Sequence, residues 1–236
     1  MSRRPSLPGI DELFGASAGA NPERPVADAT DEPAGIDATM LTGARRLVAA
    51  EDALLAATRQ AAETVLTPPT PELGALLRWA VTATNARGVV EVGTAAGVSG
   101  LWILDALPER GVLTSIEADQ HTHRLASEAF RSASAGTRVR SIHGDADTVL
   151  PRLADGSYDL ALLQSSPARY TDDLTHLRRL LRPGGMLVTR GVLRGGVHAE
   201  SCARFLHELV EDPLMSCAVL PFDDGVAVAT RVGDDR

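Results

Sequence analysis

From Gly88 onward, apolar and polar positions alternate between two periods. Short apolar runs at 88–93, 112–117, 138–143, 158–163 and 185–190 have the length and β-branched content of buried strands. The segments between them, 97–107, 120–133, 145–153 and 170–182, read as helices. In the last, Leu174, Leu177, Leu180 and Leu181 share a face, and Pro183-Gly184-Gly185 ends it. Such alternation predicts a parallel sheet with helices on both faces. After residue 190 the pattern changes. A Gly-containing loop over 191–199 leads to a helix with Cys202, Phe205, Leu206, Leu209 and Val210 on one face. Two strands come next, 215–221 and 225–231, joined through Phe222-Asp223-Asp224-Gly225, where Asp-Gly is a hairpin signal. The fold class is α/β: seven strands, mostly parallel, with a C-terminal antiparallel hairpin.

Upstream, residues 40–65 are Ala-rich and predict one N-terminal helix, stopped by Thr67-Pro68-Pro69-Thr70-Pro71. Pro71 suits the first turn of the next helix, with Thr70 as its cap and Leu73, Leu76, Leu77, Ala80 and Val81 as its apolar stripe. Residues 1–37 show no sustained period and are expected to be a disordered tail. Ile10 to Phe14 is a short docking element at most. Residues 38–236 then form one domain, with helices over 40–85 and a core over 88–236.

The chain has 236 residues, 44% hydrophobic, enough for a sizeable core. A net charge of −8 argues against a nucleic-acid partner, because phosphate binding needs a basic face. Two cysteines, Cys202 and Cys217, make no disulfide framework and read as small buried hydrophobes. Arg3 and Arg4 precede Pro5-Ser6-Leu7-Pro8 with no apolar region, so a signal peptide is not expected; nor is a membrane span, and a cytoplasmic protein is the default.

The candidate chemistry starts at 88–100, a strand turning through small residues into a helix, suited to a nucleotide or a carboxylate. The spacing Gly93-x-x-x-Gly97-x-x-Gly100 is not that of dinucleotide folds, and Ala95 stands where the pyrophosphate-admitting glycine would be. A dinucleotide oxidoreductase is therefore disfavoured, and no P-loop motif is present. Ligands in open α/β sheets bind at the carboxyl ends of strands. Glu117, after the second strand, suits a pair of ribose hydroxyls. His143-Gly144-Asp145-Ala146-Asp147, after the third, suits an adenine edge. A single adenosine moiety fits these corners better than a dinucleotide does.

At this point the chain resembles the class I S-adenosylmethionine-dependent O-methyltransferases of the catechol and caffeoyl-CoA (family 3) type. The likeness runs from about residue 66 to the C-terminus. Its marks are Thr70 to Leu77, Glu91-Val92-Gly93-Thr94-Ala95-Ala96-Gly97-Val98-Ser99, Gly144-Asp145-Ala146 with Val149 to Leu153, Tyr170 with Leu180 to Gly185, and Leu220 to Gly225. The resemblance implies a Rossmann-like sheet, S-adenosyl-L-methionine as methyl donor, a small-molecule acceptor and a homodimer. It also implies site roles. Gly93 and Thr94 border the methionine part, and Ser99 binds its carboxylate with help from the backbone near Pro69 and the helix dipole. Glu91 orients the turn and contacts the amino group. Glu117 takes the ribose, and Gly144, Asp145 and Ala146 face the adenine, with Gln164 beside them.

The catalytic half departs from the pattern. The family's divalent cation is held by an Asp after strand four, in an Asp-x-Asp-Lys context, and an Asp-Asn pair after strand five, oxygen ligands that suit magnesium or calcium. Here Gln164, Ser166 and Pro167 stand at the first set, and Arg190 and Gly191 at the second. A guanidinium repels a cation, so no catalytic metal is expected. Arg190 then has two readings. It is a fixed charge for an acidic acceptor, with Arg194 or Arg169, or it pairs with Asp223 or Asp224. His198 is the first candidate base and His143 the second; His121, His123, His176 and His207 look like surface residues, and no metal-spaced His or Cys cluster exists. The expected function is metal-free O-methyl transfer to a small-molecule hydroxyl. The alternative is a protein that binds S-adenosylmethionine or S-adenosylhomocysteine for sensing or scaffolding, with catalysis lost.

Overall fold

The computed structural model describes residues 38–48 and 50–233. The chain divides into two units, Met1–Ala50 and Glu51–Arg236. The expected disordered tail lies outside the described residues. What is described of the first unit is essentially one helix, α1 (Ala38–Val48).

The second unit opens with α2 (Ala53–Ala62) and α3 (Pro71–Ala83). The single helix expected over 40–65 is thus interrupted. Asp52 takes an extended conformation, and its carboxylate accepts from the Leu55 N–H at 2.8 Å, so a new helix starts there. Ala-rich propensity does not register such a cap. Thr70 caps α3 as expected, with Pro71 in the first turn.

The sheet is built from β1 (Gly88–Val92), β2 (Val112–Glu117), β3 (Val139–His143), β4 (Tyr158–Leu163), β5 (Leu181–Arg190), β6 (Met215–Leu220) and β7 (Val226–Arg231). Its order is β3-β2-β1-β4-β5-β7-β6. The first five strands pair in parallel, and β7 runs antiparallel to both β5 and β6. The crossovers carry α4 (Val98–Ala106), α5 (Gln120–Ser132), α6 (Ala146–Val149) and α7 (Tyr170–Leu180), and α8 (Ala199–Glu211) precedes the hairpin. The switch in strand order lies between β1 and β4. In doubly wound sheets the crevice above that point is where ligands bind.

Two local readings are corrected. The helix expected over 170–182 ends at Leu180, and Pro183-Gly184-Gly185 falls within the span of β5. There the pairing with β4 slips between Tyr158 and Leu160, because Pro183 has no N–H for the ladder and Gly184 turns to a φ of 77°. The helix expected over 145–153 shrinks to α6 plus a 3₁₀ turn at Leu150–Arg152, which Pro151 imposes. Strands β1 and β4 are buried on both faces, as a central parallel pair requires. α4 is buried along Val98–Leu104. Its Trp102 ring fills the groove beside Gly74 of α3, where a Cβ would lie 2.3 Å away. Cys202 is buried and Cys217 half-buried; both are free.

Candidate active site

The carboxyl ends of β1 to β5 open onto one cavity of about 650 Å³. That is within the usual size of small-molecule sites.

Its floor is the turn after β1. Gly93 and Gly97 have φ values of 85° and 95°, which glycine adopts freely; Ala95 and Ala96 have 43° and 55°, which alanine does not. Each such alanine stores about 1–3 kcal/mol of strain. A side chain at Gly93 would meet the Gln164 carbonyl at 2.9 Å, so the turn lies against the end of β4.

Beneath the turn Glu91 is fully buried. It accepts from Ser99 Oγ, from Ser115 Oγ at 2.6 Å and from Gln164 Nε2 at 3.3 Å. Burial pushes its pKa from 4.5 up to about 7; the two serine hydroxyls pull the other way, and the charge of Glu117 adds to the rise. Gln164 Nε2 also donates to Gly93 O at 2.9 Å and to Ser99 Oγ at 2.6 Å. The residue lines the cavity, and its Oε1 is buried with no hydrogen-bond partner among the described residues. An unpaired buried acceptor is costly.

Glu117 closes β2. One oxygen accepts from Thr94 N at 3.0 Å and from Thr94 Oγ1 at 3.3 Å; the other accepts from Asp119 N at 3.0 Å. The carboxylate is thus fixed at the cavity edge with lone pairs to spare. Gly144 is tied to β2 by its N–H to Glu117 O at 2.9 Å, which brings Asp145 and Ala146 to the same rim.

The opposite wall comes from the ends of β4 and β5: Gln164, Ser165, Ser166, Arg169, Asp173, Arg190, Arg194 and His198. Arg190 is 6% exposed and pairs with Asp223, 3% exposed, at 2.8 Å. It also donates to Thr67 O at 3.0 Å and Pro68 O at 3.2 Å. Asp223 further accepts from Thr70 N at 3.0 Å. Of the two readings of Arg190, the structure displays the pairing with Asp223; most of the guanidinium's donors turn to partners inside the protein. Arg194 pairs with Asp224 at 3.3 Å, and Arg169 with Asp147 at 3.5 Å.

The structure therefore gathers Gly93, Glu117, Gly144, Asp145, Ala146, Gln164, Arg190 and His198 around the cavity. It does not bring Pro69, Glu91, Thr94 or Ser99 to its wall. Ser99 spends its hydroxyl on Glu91, and Glu91 sits beneath the turn, so neither is placed to touch a carboxylate or an amino group directly. The Pro69 carbonyl accepts from Arg59, prolines have no N–H, and the Thr70 N–H is taken by Asp223, so residues 68–70 offer no free backbone donor. Thr94 acts by holding Glu117. His143 is exposed, bonds to Ala118 O at 3.1 Å and does not line the cavity.

Two facing wall residues, Ser165 and Asp173, were not candidates in the sequence reading. Asp173 is 1% exposed, in the first turn of α7, and accepts from Ser165 Oγ at 3.0 Å. Desolvation raises its pKa, against the pull of Ser165 and Arg169. The one available signal was its place between Tyr170 and Leu174, on the buried side of that helix.

The comparisons agree with this architecture. The family model described as O-methyltransferase matches residues 49–232. A relative from Mycobacteroides abscessus, named among the O-methyltransferases, is 40% identical over 81% of this chain and 94% of its own length. A second, from Mycolicibacterium vanbaalenii, is 40% identical over 77% of this chain and 85% of its own. Among solved structures, a Corynebacterium glutamicum protein superposes with a TM-score of 0.76 at 28% identity, covering 83% of this chain and 97% of that one. The O-methyltransferase TomG of Streptomyces achromogenes, solved in complex with SAM, does so with 0.74 at 22% identity, covering 81% and 95%. With a family match over most of its length and relatives at this identity, the chain belongs to the O-methyltransferase family.

Proposed function

We propose that the chain transfers a methyl group from S-adenosylmethionine to the hydroxyl of a small molecule, without a divalent metal. The observation that carries the reading is the acceptor carboxylate of Glu117, fixed at the cavity edge beside the Gly93 turn by backbone N–H groups. Glu117 suits the ribose hydroxyls and Gly144 to Ala146 the adenine, with Gln164 beside the turn. Glu91 and Ser99 keep the turn and Gln164 in place from behind. The bound donor supplies an electrophilic methyl on a sulfonium; the protein's share is to bind, orient and receive a proton. TomG, bound to SAM on a similar fold, supports the same reading.

The residues at the family's metal positions do not suit a cation. The carboxylates are replaced there by a neutral amide, Gln164, whose N–H groups turn to Gly93 and Ser99, and by Arg190, whose guanidinium repels a cation. Among the described residues no three His, Cys, Asp or Glu side chains gather as a ligand set.

Calorimetric titration with S-adenosylmethionine, S-adenosylhomocysteine and NAD tests the cofactor half. Binding of the first two and not of NAD is expected; binding of NAD alone overturns the reading. Methyl-release assays with and without chelator test the catalytic half, and equal rates are expected. The inward pairing of Arg190 with Asp223 favours a second reading, a binder without turnover. Tight S-adenosylhomocysteine binding with no transfer to a panel of phenols and hydroxy acids would establish it. A cytoplasmic homodimer completes the proposal on family resemblance, and light scattering checks the dimer. No helix among the described residues is long and apolar enough to cross a membrane.

A further inference from the structure

Across the cavity from Glu117 and Gly144, Ser165 and Asp173 form a hydroxyl–carboxylate pair. Ser165 lines the cavity and donates to Asp173 Oδ2 at 3.0 Å. Behind it the Asp173 side chain is 1% exposed, and its Oδ1 accepts no hydrogen bond. The nearest cation, Arg169 Nη2, stands 3.9 Å from Oδ1 and is shared with Asp147 at 3.5 Å. A carboxylate at 1% exposure with one oxygen accepting no hydrogen bond is destabilising unless it has work to do. Packing alone would be served better by an apolar side chain.

We infer that Ser165 and Asp173 are the proton relay for the acceptor: Ser165 receives the hydroxyl proton and Asp173 is the sink behind it. This rests on the reading of the cavity as a methyl-transfer site. The acceptor O–H bond breaks as its oxygen bonds to the methyl carbon, and the carbon–sulfur bond breaks with its electron pair kept on sulfur. The acceptor proton passes to Ser165 Oγ while the Ser165 proton passes to Asp173 Oδ2, and later to solvent. Because the charge lost by the sulfonium matches the proton gained by Asp173, no further reactant is needed. Ser165 touches the acceptor, whereas Asp173 acts through it. The raised pKa of Asp173 suits a proton sink better than an ordinary carboxylate. The charged and titratable groups facing it are Arg169, Asp172 and His176 of its own segment, with Asp147 of α6 reached through Arg169. His198, also on the cavity wall, has no hydrogen bond that ties it to this pair.

The test uses the full chain, two probe acceptors, catechol and 4-nitrocatechol, and S-adenosylhomocysteine binding by calorimetry. The nitrated probe is largely ionised at about pH 8 and has little need of a base. Asp173→Asn is expected to lower kcat on catechol about 10²-fold or more and on 4-nitrocatechol less than about tenfold, with KM and S-adenosylhomocysteine affinity held. Its kcat on catechol also loses the limb that rises with pH in the natural protein. Ser165→Ala shows the same split and keeps the relay testable should Asp173→Asn fold poorly, and the double variant loses no more than Asp173→Asn alone. Equal losses on both probes overturn the relay, since a structural role spares neither. Binding of S-adenosylhomocysteine with no transfer to either probe overturns the relay while the cofactor site stands. Failure to bind S-adenosylhomocysteine overturns the function reading, and the relay with it.

Discussion

Arg190 and Asp223 meet at 2.8 Å with almost no solvent contact, and the pair ties three segments together: the end of β5, the closing hairpin and the 67–70 connection. A buried pair contributes little net stability over apolar residues, yet breaking it strands a charge. Asp223→Ala is therefore expected to cost about 3–5 kcal/mol in urea unfolding, and the double substitution Arg190→Met with Asp223→Leu clearly less. A loss below about 1 kcal/mol for Asp223→Ala would mean that the clasp carries no such role.

Glu91 ties the turn after β1 to pH. Its folded pKa of about 7 lies above the ordinary 4.5, so the folded state holds the proton more tightly than the unfolded chain. The stabilising contribution is complete below pH 4.5, fades as pH rises toward 7 and is absent above it. Over that window the natural protein should lose about 3 kcal/mol relative to Glu91→Gln, whose amide does not titrate. Urea midpoints measured from pH 5 to 8 for both proteins decide it, and parallel curves refute it.

Much of this architecture was legible because it rests on period and punctuation. The five parallel strands and the Asp-Gly hairpin are readable from apolar runs and turn residues, and much of the cavity wall from the few residues just past each strand. The break before α2 was hidden because one carboxylate, on Asp52, outweighs a run of helix formers. The site was less legible than the fold, because hydrogen-bond partners distant in sequence decide which polar groups face the cavity. Ser99 and Glu91 satisfy each other eight residues apart, and Arg190 is quenched by an acid 33 residues away. Asp173 carried no motif; only its burial next to Ser165 marks it.

The strain in the turn after β1 is testable by relieving it. Ala96 has a φ of 55°, is almost fully buried and is not on the cavity wall. Ala96→Gly is expected to stabilise the protein by up to about 1 kcal/mol, the relieved strain exceeding the added chain entropy. Gly93→Ala should act oppositely, because it adds strain at a φ of 85° and a contact with Gln164 O at 2.9 Å. It should unfold several degrees earlier and bind S-adenosylhomocysteine weakly. Thermal melts of the two variants beside the natural protein should fall on opposite sides of it.

Glu117 offers the sharpest test of how the donor is held. Its two oxygens accept from Thr94 and Asp119 backbone N–H groups, so the side chain stays in place whether or not a ligand is present. Glu117→Gln keeps the size, removes the charge and halves the acceptors. Hydrogen bonds to a charged acceptor contribute about 1.5–3 kcal/mol, so S-adenosylhomocysteine should bind about 10–100-fold more weakly by calorimetry. A 2′-deoxyribose analogue separates ribose contact from general damage to the loop. The natural protein should prefer the ribose form, and Glu117→Gln should lose most of that preference. If both proteins discriminate equally, the ribose is read elsewhere, and Glu117 serves only to pin Thr94.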